Sequence, residues 1–328
     1  MNVLVTGAAG FIGSHVSEYL STKKEIKKII LVDDLSDGKL KNLSKIINLR
    51  KVEFKKSNIC DKKIHKYLKT IDVVIHLAAL SDVVPSIENP FSYMNTNVMG
   101  TLNILEGMRK YKVKKIIYAA SSSCYGIPKV FPTQENSNIN PQYPYAFSKY
   151  IGEETIKHWS KVYGINYVSL RLFNVYGTRS RTNGAYGAAL GIFLKQKLSK
   201  KPFTIVGNGE QKRDFIYVTD VANAFYLAIN KRIKNKIFNI GSSNPQSVNQ
   251  MVKLLGGKKI FIPKRPGEPD KTFASIKKAK KELKWKQKIS FNQGISIVLK
   301  NINYWKNAPL WDKRKISLAT KNWFKYLK

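Results

Sequence analysis

The amino-acid sequence predicts an α/β protein whose first half is a doubly wound parallel sheet and whose second half is a smaller, less regular domain. Three observations carry this: an apolar run near the N-terminus that enters a glycine-rich turn, apolar runs that alternate with helical periodicity as far as Leu172, and loss of that alternation beyond Phe173. Strands that alternate with helices pair in parallel, because each crossover helix carries the chain back to start the next strand in the same direction.

Residues 2–6, NVLVT, form the first strand, GAAGFIG the turn, and Ser14–Tyr19 the first helix; Ile29–Val32 is the second strand and ends in Asp33 and Asp34. Val73–Leu77, Lys115–Ala119 and Tyr167–Leu172 repeat the strand signal, with helical spacing between them at Thr96–Tyr111 and Tyr145–Tyr163. Beyond Phe173, Gly, Asn and Arg cluster through TRSRTNGAYG, a helix follows to Lys197, GNGEQKRD is a loop, and Pro263, Pro266 and Pro269 interrupt short elements. At the end of the sequence Ile316, Leu318, Ala319, Trp323 and Leu327 fall on one helical stripe, read as a terminal helix over 304–328 docked on the body.

At 328 residues the chain has the length of about two domains and can bury a full core without disulfide or metal staples. Apolar residues make up 43% and charged residues 24%, and no window approaches the ~18 apolar residues of a membrane span. These figures exclude a disordered chain and an integral helical membrane protein. Cys60 and Cys124 belong to no C-x-x-C or His/Cys cluster, so no disulfide or metal site is expected and a reducing compartment fits. The opening residues lack the basic stretch of a secretory signal, and the expected location is cytoplasmic.

A formal charge of +37 is the kind of excess found in nucleic-acid-binding proteins. Here only nine of the 58 basic residues are arginine, and lysine recurs along the whole chain together with Asn, Ile, Tyr and Phe, residues with AT-rich codons. The charge is therefore assigned to genome composition. No specific nucleic-acid partner is expected, and association with anionic surfaces would be weak and salt-dependent.

Gly7, Gly10 and Gly13 stand between a strand and a helix at G-x-x-G-x-x-G spacing. The first permits a tight turn, the second lets the backbone approach a pyrophosphate, and the third allows close helix packing; the anion then meets the helix N-terminus, opened by Phe11 and Ile12. Asp33, 20 residues beyond Gly13, ends the second strand, where a carboxylate can hold both hydroxyls of an adenosine ribose and repel a 2'-phosphate. The implied cofactor is NAD rather than NADP.

Tyr145 and Lys149 in YPYAFSK lie four apart, on one face of a predicted helix. A phenol near pKa ~10 is a poor base at neutral pH, but an adjacent ammonium and a nicotinamide cation favour the phenolate, and a ~3 unit shift corresponds to about 4 kcal/mol. Ser121, Ser122 and Ser123 follow the strand IIYAA, and a hydroxyl there can share a substrate proton with the tyrosine.

TGAAGFIG, HLAA at His76–Ala79, YAASSSCYG, YPYAFSK, RLFNVYG and GEQKRDFIYVTDVA, in that order, resemble the extended short-chain dehydrogenase/reductase family of NAD-dependent nucleotide-sugar epimerases and dehydratases, over about residues 1–300. The resemblance implies a Rossmann-type NAD-binding domain over 1–172, to which segments near 215–240 and 290–303 return, and a mainly substrate-binding domain over 173–303. It implies that Lys149 holds the nicotinamide ribose, that Tyr145 is the base, and that Ser121, four residues before Tyr125, assists at the sugar hydroxyl, with Ser122 and Ser123 open as partners. It adds Ile59, Leu77, Ala78 and Ala79 to the cofactor contacts, and Asn58 where the family usually has an adenine-binding Asp. Asn174 and Arg213 fall on the sugar diphosphate, with Arg265 as a second phosphate contact. A homodimer is implied through the helices around Leu102–Tyr111 and Ile151–Tyr163.

Dehydratases of this family have an Asp-Glu pair where this chain has Ser122 and Ser123, and Cys124 is one position off the cysteine of 3,5-epimerases. The expected reaction is therefore C4 epimerisation of UDP-glucose/galactose or UDP-GlcNAc/GalNAc through a 4-keto sugar. A 4,6-dehydratase or 4-ketoreductase is the alternative, and a non-catalytic dinucleotide- or RNA-binding relative a remote one. Thr272 falls where the family gates the space beside the sugar's C2 group.

Overall fold

A computed structural model describes residues 1–180 and 189–327; most of the arginine- and glycine-rich tail of the TRSRTNGAYG cluster lies outside them. Among the described residues the main sheet has seven parallel strands: β1 (Asn2–Thr6), β2 (Lys28–Asp33), β3 (Val52–Lys56), β4 (Val73–His76), β5 (Lys115–Ser121), β6 (Asn166–Leu172) and β7 (Lys236–Ile240). Their order is β7-β6-β5-β4-β1-β2-β3. β1 pairs with β4 through Thr6 and His76 and with β2 through Thr6 and Val32. The direction in which successive strands are added reverses at β1, so a crevice opens between the carboxyl ends of β1 and β4.

The apolar strand runs follow from burial on both faces. Val3, Val5, Ile29, Leu31 and Ile117 enter one core with Phe225 and Trp285, whereas Leu4, Ile30, Val32, Val74 and Ile116 enter the other with Ile104, Leu105 and Met108. Phe225 belongs to α4 (Val218–Ala228), and the second group of partners to α2 (Gly100–Lys110). The remaining helices that frame the crevice are α1 (Phe11–Ser21) and α3 (Pro144–Tyr163). The helical signal expected from Thr96 begins earlier. Asn89 accepts from Ser92 N–H at 3.2 Å and caps a turn at Pro90–Met94, and a π-helical turn at Asn95–Met99 joins it to α2.

In the second half the strands are short. Asn174–Tyr176 pairs in parallel with Phe215–Tyr217, Phe203–Val206 with Lys259–Ile262, and Lys212–Arg213 runs antiparallel to Gln246–Ser247. A separate aromatic core, including Phe193, Phe203 and Trp305, fills the space behind them. The terminal segment forms two helices, Lys313–Ala319 and Lys321–Tyr326, rather than one. The expected stripe is accordingly split: Ile316 and Trp323 are buried, and Leu318 is 65% exposed. Among the described residues no helix is long and apolar enough to cross a membrane.

Candidate active site

The crevice holds a cavity of about 630 Å³ that runs from Asp33 past the glycine turn to Ser121, Tyr145 and Lys149. Gly7 has φ +66°, and a Cβ there would sit 2.7 Å from the Ala78 nitrogen. A Cβ on Gly13 would lie 1.9 Å from the Gly7 carbonyl oxygen. Glycine is thus required for the turn and for the approach of α1. The helix begins with Ser14 N–H bonded to Gly10 C=O at 3.1 Å, so the amides of Phe11, Ile12 and Gly13 lack intrahelical acceptors at the cavity wall. That end favours an anion.

At the far end Asp33 accepts from Ala9 N–H and Leu35 N–H, both at 2.9 Å. Burial, and then repulsion from Asp34 and Asp37, hold its carboxyl above the usual range. Asn58 lines the same end, but its amide donates to Asp34 Oδ2 at 2.8 Å while its Oδ1 accepts from Cys60 N–H at 2.8 Å. It therefore orders the loop as well as facing the cavity. Ile59 lies beneath Gly100, where a Cβ would come within 2.6 Å of the isoleucine. A turn with no room for side chains, a helix end, a fixed carboxylate and an apolar slot of Ile59, Leu77, Ala78 and Ala79 fit a dinucleotide such as NAD.

His76 fixes the middle of this wall. Thr101 donates its hydroxyl to Asn97 C=O at 2.6 Å, so it accepts from His76 Nε2–H at 3.0 Å, and Nδ1 accepts from the Thr6 hydroxyl at 2.7 Å. Thr6 Oγ1 in turn accepts from the amides of Leu77 and Ala78 at 3.2 Å. Full burial lowers the imidazole to about 3, so it is neutral and structural. Asn97, in the π-helical turn, bonds Leu80 N–H, Leu80 C=O and Ser148 Oγ at 2.8, 3.0 and 2.9 Å, tying the loop after β4 to α3.

Tyr145 and Lys149 occupy the first turns of α3, and both line the cavity. Burial raises the Tyr145 phenol, the nearby Ser121 hydroxyl pulls it down, and Asp82 and Cys124 push it up. Lys149 is not among the groups that shift it. Its ammonium sits 4.1 Å from the Tyr118 ring centroid, and desolvation lowers it to about 7 against the attraction of Glu153. Ser121 Oγ bonds Ser123 Oγ at 2.7 Å, while neither Ser122 nor Ser123 lines the cavity. Burial pushes the Cys124 thiol up to about 12, which leaves it inert as a base.

The four residues assigned to the substrate form a second group outside the cavity lining. Thr272 donates to Asn174 Oδ1 at 2.9 Å. Arg213 and Arg265 converge on the Glu268 carboxylate, at 3.6 and 3.2 Å. The sequence motifs leave out several wall residues: Asp82, Arg179, Tyr304 and Trp311. Arg179, with φ +60°, pairs with Glu18, and its buried Nη1 has no hydrogen-bond partner among the described residues. Its adjacency to the RLFNVYG run was the available signal. Tyr304 and Trp311 carry none, since they reach the crevice only through tertiary folding.

The sequence profile described as the NAD dependent epimerase/dehydratase family matches residues 3–241. The chain is 41% identical over 314 residues to a putative UDP-glucose 4-epimerase of Methanocaldococcus jannaschii, covering 93% of this chain and 98% of that one. Among solved structures it is similar to the Thermotoga maritima UDP-glucose 4-epimerase with UDP-glucose, at 36% identity and TM-score 0.84, covering 93% of this chain and 99% of the other. It is also similar to the Methanobrevibacter ruminantium UDP-N-acetylglucosamine 4-epimerase in complex with UDP-N-acetylmuramic acid, at 32% identity and TM-score 0.85, covering 92% and 98%.

Proposed function

The chain belongs to the NAD-dependent epimerase/dehydratase family, and from that premise we propose that it inverts C4 of a UDP-activated hexose or N-acetylhexosamine through a transient 4-keto sugar. One observation carries the reading: Tyr145, Ser121 and Lys149 line one cavity, while the turn after β5 offers only Ser122 and Ser123 where a dehydratase would need a carboxyl pair.

NAD, when bound, supplies the acceptor for the C4 hydride and the source from which it returns. The protein's own groups do the rest. Tyr145 takes the O4 proton as the C4–H bond breaks and gives it back when the keto group is reduced from its other face, so no net redox change occurs. Ser121 donates a hydrogen bond to the phenolate and lowers the cost of forming it in a buried site. Lys149, on the same wall, holds the nicotinamide ribose; burial lowers its ammonium to about 7, and a hydroxyl partner would favour the charged form. Asp33 holds the adenosine ribose.

On the sugar side Asn174 and Arg213, with Arg265, bind the diphosphate, and Thr272 bounds the C2 substituent. Threonine there leaves room for an acetamido group, which supports turnover of UDP-N-acetylglucosamine alongside UDP-glucose. The relatives named above include enzymes of both kinds. A homodimer through the outer faces of α2 and α3 is part of the same proposal. Incubation of the purified protein with UDP-sugars and no added cofactor, followed by NMR of the products, tests it.

A further inference from the structure

The two guanidinium groups that the proposed function assigns to the substrate diphosphate are closed off from the cavity. Arg213 and Arg265 have side chains only 15% and 14% exposed, and both face the Glu268 carboxylate, an anion supplied by the chain itself. Over them lies the helix Lys321–Tyr326. Its Trp323 ring is 5.3 Å from the Arg265 guanidinium, its indole N–H donates to Pro266 C=O at 2.7 Å, and it packs on Tyr143 at a centroid distance of 5.9 Å. Tyr143 in turn stacks on Tyr145, with 6.5 Å between centroids and 7° between planes. The same helix packs against Val83–Glu88, at the wall beside Tyr145. It therefore bridges the two sides of the crevice at its substrate end.

We propose that this C-terminal helix is a strap, latched by Trp323, that closes the diphosphate subsite in the unliganded protein and swings away when a nucleotide diphosphate takes Arg213 and Arg265 from Glu268. The inference rests on the nucleotide-sugar reading given above. A helix of six residues cannot hold itself in place by its own hydrogen bonds. Its outward side chains Phe324 and Tyr326 are 44% and 60% exposed, so Trp323, 2% exposed, carries most of the docking. A diphosphate offers each guanidinium a stronger, bidentate partner than one shared carboxylate at 3.2 to 3.6 Å.

The test is calorimetric titration of UDP into the NAD-loaded full-length protein, with Trp323→Ala, Trp323→Phe and Arg213→Gln in parallel. If the strap is closed in roughly nine molecules of ten, the apparent Kd is raised about tenfold. Trp323→Ala should then bind UDP about tenfold more tightly and Trp323→Phe less so, with NAD affinity unchanged in both. Hydrogen exchange of the wild type, which needs no variant, should show the amides of residues 320–327 exchanging faster with UDP than without. Equal or weaker UDP binding by Trp323→Ala, or amides that become more protected with UDP, overturns the strap. Arg213→Gln separates the two readings. A large loss of UDP affinity in that variant upholds the diphosphate site whatever the strap does, and no loss removes the site and the strap together.

Discussion

The Thr272 hydroxyl donates to Asn174 Oδ1 at 2.9 Å and accepts from Asp214 N–H at 2.9 Å, so one side chain fixes the orientation of the residue that the proposed function places on the substrate. Thr272→Val removes both bonds at nearly constant volume. At about 1 kcal/mol for the one net hydrogen bond that aims Asn174, KM should rise roughly fivefold for every UDP-sugar, and Thr272→Ser should restore it. Thr272→Tyr adds crowding of about 1 to 3 kcal/mol against a bulky C2 group, so it should suppress UDP-N-acetylglucosamine more than UDP-glucose. Equal losses on the two sugars would remove Thr272 as the gate.

The nearness of the Ser121 hydroxyl to Tyr145 sets the direction of a pH effect. Ser121 lowers the phenol pKa against burial. Ser121→Ala should therefore move the acid limb of the kcat profile to higher pH, because the base now loses its proton later. Tyr145→Phe should lower kcat ~100-fold or more at every pH while NAD remains bound. A Ser121→Ala profile that falls without shifting would show that Ser121 acts elsewhere.

Asp33, held by the amides of Ala9 and Leu35, is the residue to which the proposed function gives the ribose hydroxyls, and its charge would repel a 2'-phosphate. Preference for NAD over NADP in reconstitution of the cofactor-free protein should narrow in Asp33→Ala. If the wild type takes up both dinucleotides equally, the carboxylate has another role.

Buried neutral histidines should make the fold acid-labile. His76 is lowered to about 3 and His15 to about 4, chiefly by desolvation, against 6.5 when unfolded. Below pH ~6.5 the unfolded chain takes up protons that the folded chain refuses, so stability falls as pH drops toward those folded values. Lys149, lowered to about 7, completes its protonation in the folded state just below pH 7, so it adds slope only at the top of this range. Urea midpoints between pH 7 and 5 should fall more steeply in the wild type than in His76→Asn. Parallel slopes would contradict the assignment.

The glycine turn, Asp33 and the Tyr145/Lys149 pair were legible because local geometry dictates them: a positive φ, a strand end, one helix turn. β3 was not legible, since VEFKK at the sheet edge is only half-buried and carries the charges that edges tolerate. The π-helical turn before α2 depends on Asn97 reaching Leu80 and Ser148, contacts without a sequence period. The split terminal helix escaped for a related reason. Ile316 and Leu318 look alike in hydropathy, and only the body against which they dock decides which is buried. The place of the Lys149 ammonium, over the Tyr118 ring, was not legible from helical spacing, because Tyr118 comes from β5.

The central claim is C4 inversion without net redox change by a protein that carries its own NAD. The most direct measurement is proton NMR of the purified protein incubated with UDP-N-acetylglucosamine and, separately, UDP-glucose, with no added cofactor. New anomeric and H4 signals of the galacto epimer should grow to an equilibrium that is also reached from the galacto side, with no keto sugar accumulating. A stable 4-keto-6-deoxy product, or unchanged spectra with both sugars while NAD is demonstrably bound, would contradict it.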